Sequence, residues 1–142
     1  ARFKKEKRGF SVLVGDVDHF KQYNDAFGHA AGDEVLQTIA EIMRDSTRKV
    51  DCCARYGGEE FVIVLPDNTI ADALDTAEHM RARVAAKKFN GRKITLSIGV
   101  ANFPEDADDA EAIIAVADEA LYQAKREGRD RTVRARRLKK TG

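Results

Sequence analysis

Short apolar runs rich in β-branched residues alternate along this chain with longer stretches whose apolar positions recur every three or four residues. Phe10-Ser11-Val12-Leu13-Val14, bounded by Gly9 and Gly15, predicts a buried strand ending at Asp16. A short helical stretch from His19 to Phe27 follows. From Asp33 the spacing of Val35, Leu36, Ile39, Ile42 and Met43 marks one apolar helix face. Asp51 to Tyr56 and Glu60 to Leu65 read as the two strands of a hairpin, joined at Gly57-Gly58, a dipeptide able to take the positive φ angles of a two-residue turn. Pro66 stops the second strand. Thr69 with Asp72 predicts a capped helix start, and Ile70, Ala73, Leu74, Ala77, Met80 and Val84 form the buried face of that helix. After a turn at Asn90-Gly91, Ile94, Leu96, Ile98 and Val100 alternate with Thr95, Ser97 and Gly99, which predicts a half-buried strand with one face toward helices. Asp108 with Glu111 opens a last long helix that buries Ile113, Ile114, Ala117, Leu121 and Ala124 and ends before Gly128. A closing strand is expected near Arg131 to Arg134.

The order β-α-α-β-β-α-β-α predicts an α/β fold with a mixed central sheet of about five strands covered by helices. The length of 142 residues fits one domain, and 43% hydrophobic residues suffice for its core. The 25 basic and 24 acidic side chains leave a formal net charge of +1, so bulk charge offers no argument for a nucleic-acid or membrane partner. No apolar run nears the roughly 20 residues needed to cross a bilayer, so a cytoplasmic domain is expected, although the parent protein could be membrane-anchored. Arg2 to Arg8 resembles the end of a helix whose start lies earlier. Cys52 and Cys53 are adjacent, a poor geometry for a mutual disulfide, and read as small core-facing residues in a reducing compartment. His19, His29 and His79 are scattered and make no metal set. The basic run Arg134 to Lys140 reads as a solvated end.

Asp16 and Asp18 lie two apart at a strand end, and Glu59 and Glu60 leave the hairpin tip toward opposite faces. A carboxylate from each place, with a backbone carbonyl between, is an all-oxygen set of the kind that holds magnesium together with a nucleoside triphosphate. For any acid pair taken alone, simple solvation is the commoner explanation.

The succession of motifs changes that balance. Gly57-Gly58-Glu59-Glu60-Phe61 resembles the signature of the GGDEF family in its GGEEF form. Asp16-Val17-Asp18-His19-Phe20-Lys21, Asn24-Asp25 and Gly28-His29-Ala30-Ala31-Gly32-Asp33 fit the same family, as do Leu96 to Ala101 and Ala117 to Lys125. The resemblance runs from about Phe10 to Arg131. It implies a nucleotidyl-cyclase or polymerase-palm-like fold with a ferredoxin-like core, and a diguanylate cyclase that joins two GTP into cyclic di-GMP, releasing two pyrophosphates. It further implies two Mg2+ per active site, with Mn2+ possible, held by Asp16, Glu59 and the carbonyl of Val17, and Glu59 as the candidate acceptor of the 3′-hydroxyl proton. Asn24 and Asp33 match the residues that read guanine, and Lys21, Gly57, Gly58, Lys125 and Arg129 match those that meet the phosphates. Phe61 is expected in the core.

Arg48-Lys49-Val50-Asp51, separated from Gly57 by the five residues Cys52 to Tyr56, matches the family's RxxD inhibitory site, where cyclic di-GMP binds, and Arg81 resembles its secondary arginine. Gly15 and Asp130 depart from the family pattern, where a larger residue and an asparagine are common. The family's opening DxLTGLxNR segment is missing from the sequence, so weak activity of this chain alone is expected. Because one site holds one GTP, a second copy of the domain is the expected partner. Two rivals remain: a regulatory module that binds GTP or cyclic di-GMP without turnover, which would not need the complete residue set, and a nucleic-acid polymerase palm, disfavoured by size and the lack of a basic stripe.

Overall fold

The computed structural model describes residues 9–136. Arg2 to Arg8 and residues 137–140 of the basic run lie outside the described residues. The elements are β1 (Phe10–Val17), α1 (Phe20–Phe27), α2 (His29–Ser46), β2 (Cys52–Tyr56), β3 (Glu60–Pro66), α3 (Ile70–Ala86), the two-residue strands β4 (Lys88–Phe89) and β5 (Arg92–Lys93), β6 (Leu96–Phe103), α4 (Ile113–Arg126) and β7 (Arg131–Arg134). The main sheet has the order β2-β3-β1-β6-β7. All its neighbouring pairs are antiparallel except β6 with β7, which is parallel. The segment β1 to β6 forms a β-α-β-β-α-β ferredoxin-like unit, and α4 then returns the chain so that β7 adds to the β6 edge.

Strand β1 explains why helices cover both faces. It is flanked by β3 and β6, and its side chains alternate between two hydrophobic clusters. Leu13 and Val17 join the cluster that includes Ile39 of α2 and Met80 of α3, whereas Val12 and Val14 join the one that includes Ala117 and Leu121 of α4. Phe61 lies in this core at 2% exposure, as expected, with its ring over Gly15. A Cβ at residue 15 would overlap that ring, so the small residue in β1 and the large one facing it in β3 form one packing unit.

Several boundaries differ from the sequence reading. Helix α2 begins at His29, four residues before Asp33. Strand β6 is buried on both faces, because Ser97 faces a carboxylate inside the protein and not solvent. The residue that caps the last helical region is Asp109, accepting from the Glu111 amide at a 3-10 turn, and α4 proper starts at Ile113. Ile114 points outward with 44% exposure, and Ala120 takes its place in the buried stripe. Cys52 is exposed on the edge strand, and only Cys53 packs partly against the core. Of the basic run, Arg134 ends β7, while Ala135 is buried and donates its N–H to the Val100 carbonyl. No helix among the described residues is long and apolar enough to cross a membrane.

The Thr69 cap forms as the sequence predicts, its hydroxyl accepting from the Asp72 amide at 3.1 Å. Thr69→Ala leaves that amide without its partner and is expected to lower unfolding free energy by about 1 kcal/mol. Urea denaturation monitored by circular dichroism checks this.

Candidate active site

The residues predicted for metal and phosphate gather at one end of the sheet. The C-terminal end of β1 is held between the β2–β3 turn and the start of β6: Asp16 pairs with Glu60 on one side and with Ser97 on the other. The Val17 amide also donates to the Glu59 carbonyl at 3.2 Å. The turn contains three residues, not two, because Tyr56 pairs with Glu60 and leaves Gly57, Gly58 and Glu59 as the loop. Gly57 and Gly58 have φ of 64° and 81°, the left-handed region that side chains disfavour. Space above the turn is open, with no atom within 4 Å of a Cβ placed on Gly58. Glu59 therefore stands on the loop, beside the end of β1.

Asp16, Val17, Glu59, Lys21, Lys125 and Arg129 line a common cleft of about 290 Å3. Lys125 and Arg129 come from the last turn of α4 and the loop after it, and the Lys125 ammonium pairs with Asp16 Oδ2. The other Asp16 oxygen, Oδ1, is buried and has no hydrogen-bond partner. A buried carboxylate oxygen left in that state is costly unless a ligand or ion supplies the missing partner. Among the described residues no three His, Cys, Asp or Glu side chains converge as a complete cation cage. Two carboxylates beside a backbone carbonyl do suit magnesium, which keeps part of its shell for water and phosphate oxygens.

Asn24 and Asp33 do not line this cleft. They lie on the α1–α2 hairpin, where Asn24 Oδ1 is also buried without a partner and packs on Gly32, next to Asp33. A Cβ on Gly32 would overlap that oxygen, so the glycine makes room for the Asn24 amide.

The inhibitory-site residues divide. Arg48 and Asp51 form a two-pronged ion pair with Arg48 Nη2 to Asp51 Oδ1 at 2.6 Å, and Arg48 also donates to the Pro66 carbonyl. The hydrogen bond to Asp51 pushes the already high Arg48 pKa further up. A pocket of about 330 Å3 there is lined also by Arg44 and Lys49. Arg81 is not brought to this pocket. It bonds Glu78 and Asp130, at 2.6 and 2.7 Å. Asp130, which departs from the expected family pattern, thus has its charge matched by Arg81.

Asp18 was assigned no task by the sequence, yet it is 7% exposed and accepts from Thr95 Oγ1, Ser97 Oγ and the Asp130 amide. The available signal was the pair of hydroxyl residues on an otherwise apolar strand. His19, His29 and His79 are exposed; His19 borders the cleft, whereas His29 and His79 do not line it.

A family model for the diguanylate cyclase GGDEF domain matches residues 1–131. The chain belongs to the GGDEF family. Among relatives of this GGDEF domain, diguanylate cyclase A of Treponema denticola is 44% identical over 130 residues, covering 89% of the chain and 35% of the relative. Response regulator PleD of Caulobacter vibrioides is 45% identical over 129 residues, covering 87% and 28% respectively. The GGDEF domain thus spans about a third of the length of these curated relatives. The active GGEEF domain of a diguanylate cyclase from Vibrio cholerae superposes with a TM-score of 0.88 at 38% identity, over 95% of this chain and 88% of that one. The GGDEF domain of DgcB from Caulobacter crescentus, in complex with c-di-GMP, gives a TM-score of 0.82 at 30% identity, over 94% and 84%.

Hydrogen bonds from Arg81 hold the Glu78 carboxyl below its ordinary value of 4.5. A lowered folded-state pKa contributes stability above the unfolded value and loses it as pH falls through the folded one. Thermal melts of the GGDEF domain should therefore show a small advantage over Glu78→Gln at neutral pH that shrinks below about pH 4.5.

Proposed function

We propose that this domain is a magnesium-dependent diguanylate cyclase that condenses two GTP into cyclic di-GMP. The observation that carries the reading is the unpartnered, buried Oδ1 of Asp16, set in one cleft with Glu59, Lys21, Lys125 and Arg129. An arrangement of two acids among three cations is suited to a triphosphate that arrives with its own counter-ion.

Asp16, Glu59 and the Val17 carbonyl would hold two Mg2+, or Mn2+ in their place. The metal supplies neutralisation of the triphosphate charge as it grows at the leaving oxygen. Lys21, Lys125 and Arg129 bind phosphate oxygens, and the open turn at Gly57 and Gly58 lets the phosphates approach the backbone. Asn24 and Asp33 take the guanine edge, the aspartate accepting from its two donors. Glu59 would receive the 3′-hydroxyl proton as O3′ bonds to the α-phosphorus and the bond to pyrophosphate breaks.

Each cleft supplies one nucleotide, and closing the ring requires each 3′-oxygen to reach the α-phosphate of the other. Catalysis therefore uses two copies of the domain facing one another. The Arg48–Asp51 pocket, with Arg44 and Lys49 beside it, suits the dianionic product and supports product inhibition; Arg81, paired with Asp130, would have to change partners to take part.

With GTP and magnesium, a form of the protein fused to a dimerising helix should yield cyclic di-GMP and pyrophosphate by chromatography, and Asp16→Asn should lower the rate at least about a hundredfold. No product from the dimerised wild-type chain sinks the reading; bound but unconverted nucleotide would mark a regulatory module instead. Product inhibition has its own test. Arg48→Ala should give linear progress curves at cyclic di-GMP concentrations where the parent protein slows, and equal slowing of both removes the pocket from the proposal.

A further inference from the structure

We propose that Asp18 is a positioning residue that fixes Arg129 over the cleft, and that it is not a second metal ligand beside Asp16. The inference rests on the phosphate role given above to Arg129. Although Asp18 borders the same cleft, its two oxygens are already committed. Oδ1 accepts from Ser97 Oγ at 2.7 Å, and Oδ2 accepts from Thr95 Oγ1 at 2.7 Å and from the Asp130 N–H at 3.0 Å. Its own N–H donates to the Thr95 carbonyl at 2.9 Å. Asp16, two residues earlier, keeps one oxygen without a partner.

The loop that Asp18 grips is a demanding one. Arg129 and Asp130 both have positive φ, 65° and 48°, directly after Gly128 at 124°. Consecutive side-chain-bearing residues in this region persist only where the surroundings over-determine them. Here the Arg129 amide caps α4 through the Ala124 carbonyl, the Asp130 amide is held by Asp18, and the Asp130 carboxylate is held by Arg81 of α3. Releasing the Asp18 contact frees a backbone N–H that ties this loop to the segment just after β1. Arg129 then loses its fixed relation to Asp16 and Glu59.

Asparagine discriminates between the two roles. In Asp18→Asn the amide oxygen can face Thr95 and Asp130 while the amide nitrogen donates to Ser97, whose hydroxyl serves equally as acceptor. The positioning contacts survive the loss of charge, whereas a metal ligand would not.

The test is direct titration of the full chain with a non-hydrolysable GTP analogue and with GMP, in magnesium. Asp18→Ala and Arg129→Ala should each narrow the preference for the triphosphate roughly tenfold, because the misplaced or missing guanidinium forfeits its charge-assisted bonds. The double variant should lose no more than either single one, Asp18→Asn should recover most of the loss, and the magnesium requirement should stay where it was. Losses that multiply in the double variant overturn the proposal, as does an unaffected Asp18→Ala. An Asp18→Asn that is as impaired as the alanine variant and needs more magnesium assigns Asp18 to the metal instead. If Asp18→Ala does not fold, Thr95→Val removes one anchoring donor and should reduce the same preference about fivefold, again without adding to Arg129→Ala; full additivity there also overturns the proposal. Because the readout is binding, a wild-type chain that binds the analogue without making product sinks the cyclase reading alone.

Discussion

The position of β1 is the constraint on which the rest of this molecule depends. It is hydrogen-bonded to β3 along one edge and β6 along the other, and covered by helices on both faces. Such a strand has one acceptable register. A slip of one residue would send Leu13 toward α4 and Val12 toward α2 and α3, exchanging the contents of two cores that differ in shape. The fit of Phe61 over Gly15 opposes the same slip locally. Because β1 cannot slide, the carboxylate at its end is delivered to a fixed place.

That end is where the chemistry of the chain is concentrated, and its two acids live in different surroundings. Asp16 opens on the cleft with Lys125 as its counter-charge, while Asp18 is enclosed by hydroxyls and an amide. Two residues of separation suffice, because the chain leaves the strand after Val17 and His19 adopts φ of 56° before α1 begins. Of the three cations, Lys21 follows on α1, whereas Lys125 and Arg129 arrive from the far end of the sequence, on α4 and the loop that leads into β7. The cleft is therefore assembled by the sheet and not by any local segment.

Much of this was legible in the sequence where a local pattern has only one structural solution. The apolar run before Asp16, the glycine-rich tip between two strands and the Thr69 cap each became the element they predicted. The five-strand mixed sheet followed from their order. What stayed hidden depends on partners distant in sequence. Thr95 and Ser97 read as a solvent face because period-two alternation cannot reveal a buried carboxylate opposite them. Gly57-Gly58 reads as a two-residue turn, but the pairing of Tyr56 with Glu60 adds Glu59 to the loop. Ile114 fitted the helical period, yet in the first turn of α4 it is Ile113 that meets the core and Ile114 that faces outward. Arg81 matched a pattern by position, whereas its ion pairs are decided by Glu78 and by Asp130, 49 residues later in the chain.

The locked register of β1 also bears on how such a unit can be governed. Its interior offers no inexpensive gear: moving the acid at the strand tip relative to the hairpin means breaking two ladders and two packed faces at once. A signal reaching it from elsewhere in a polypeptide would meet far less resistance by swinging the whole body about its attachment than by reshaping it. Control of this kind is a matter of address, not of fold.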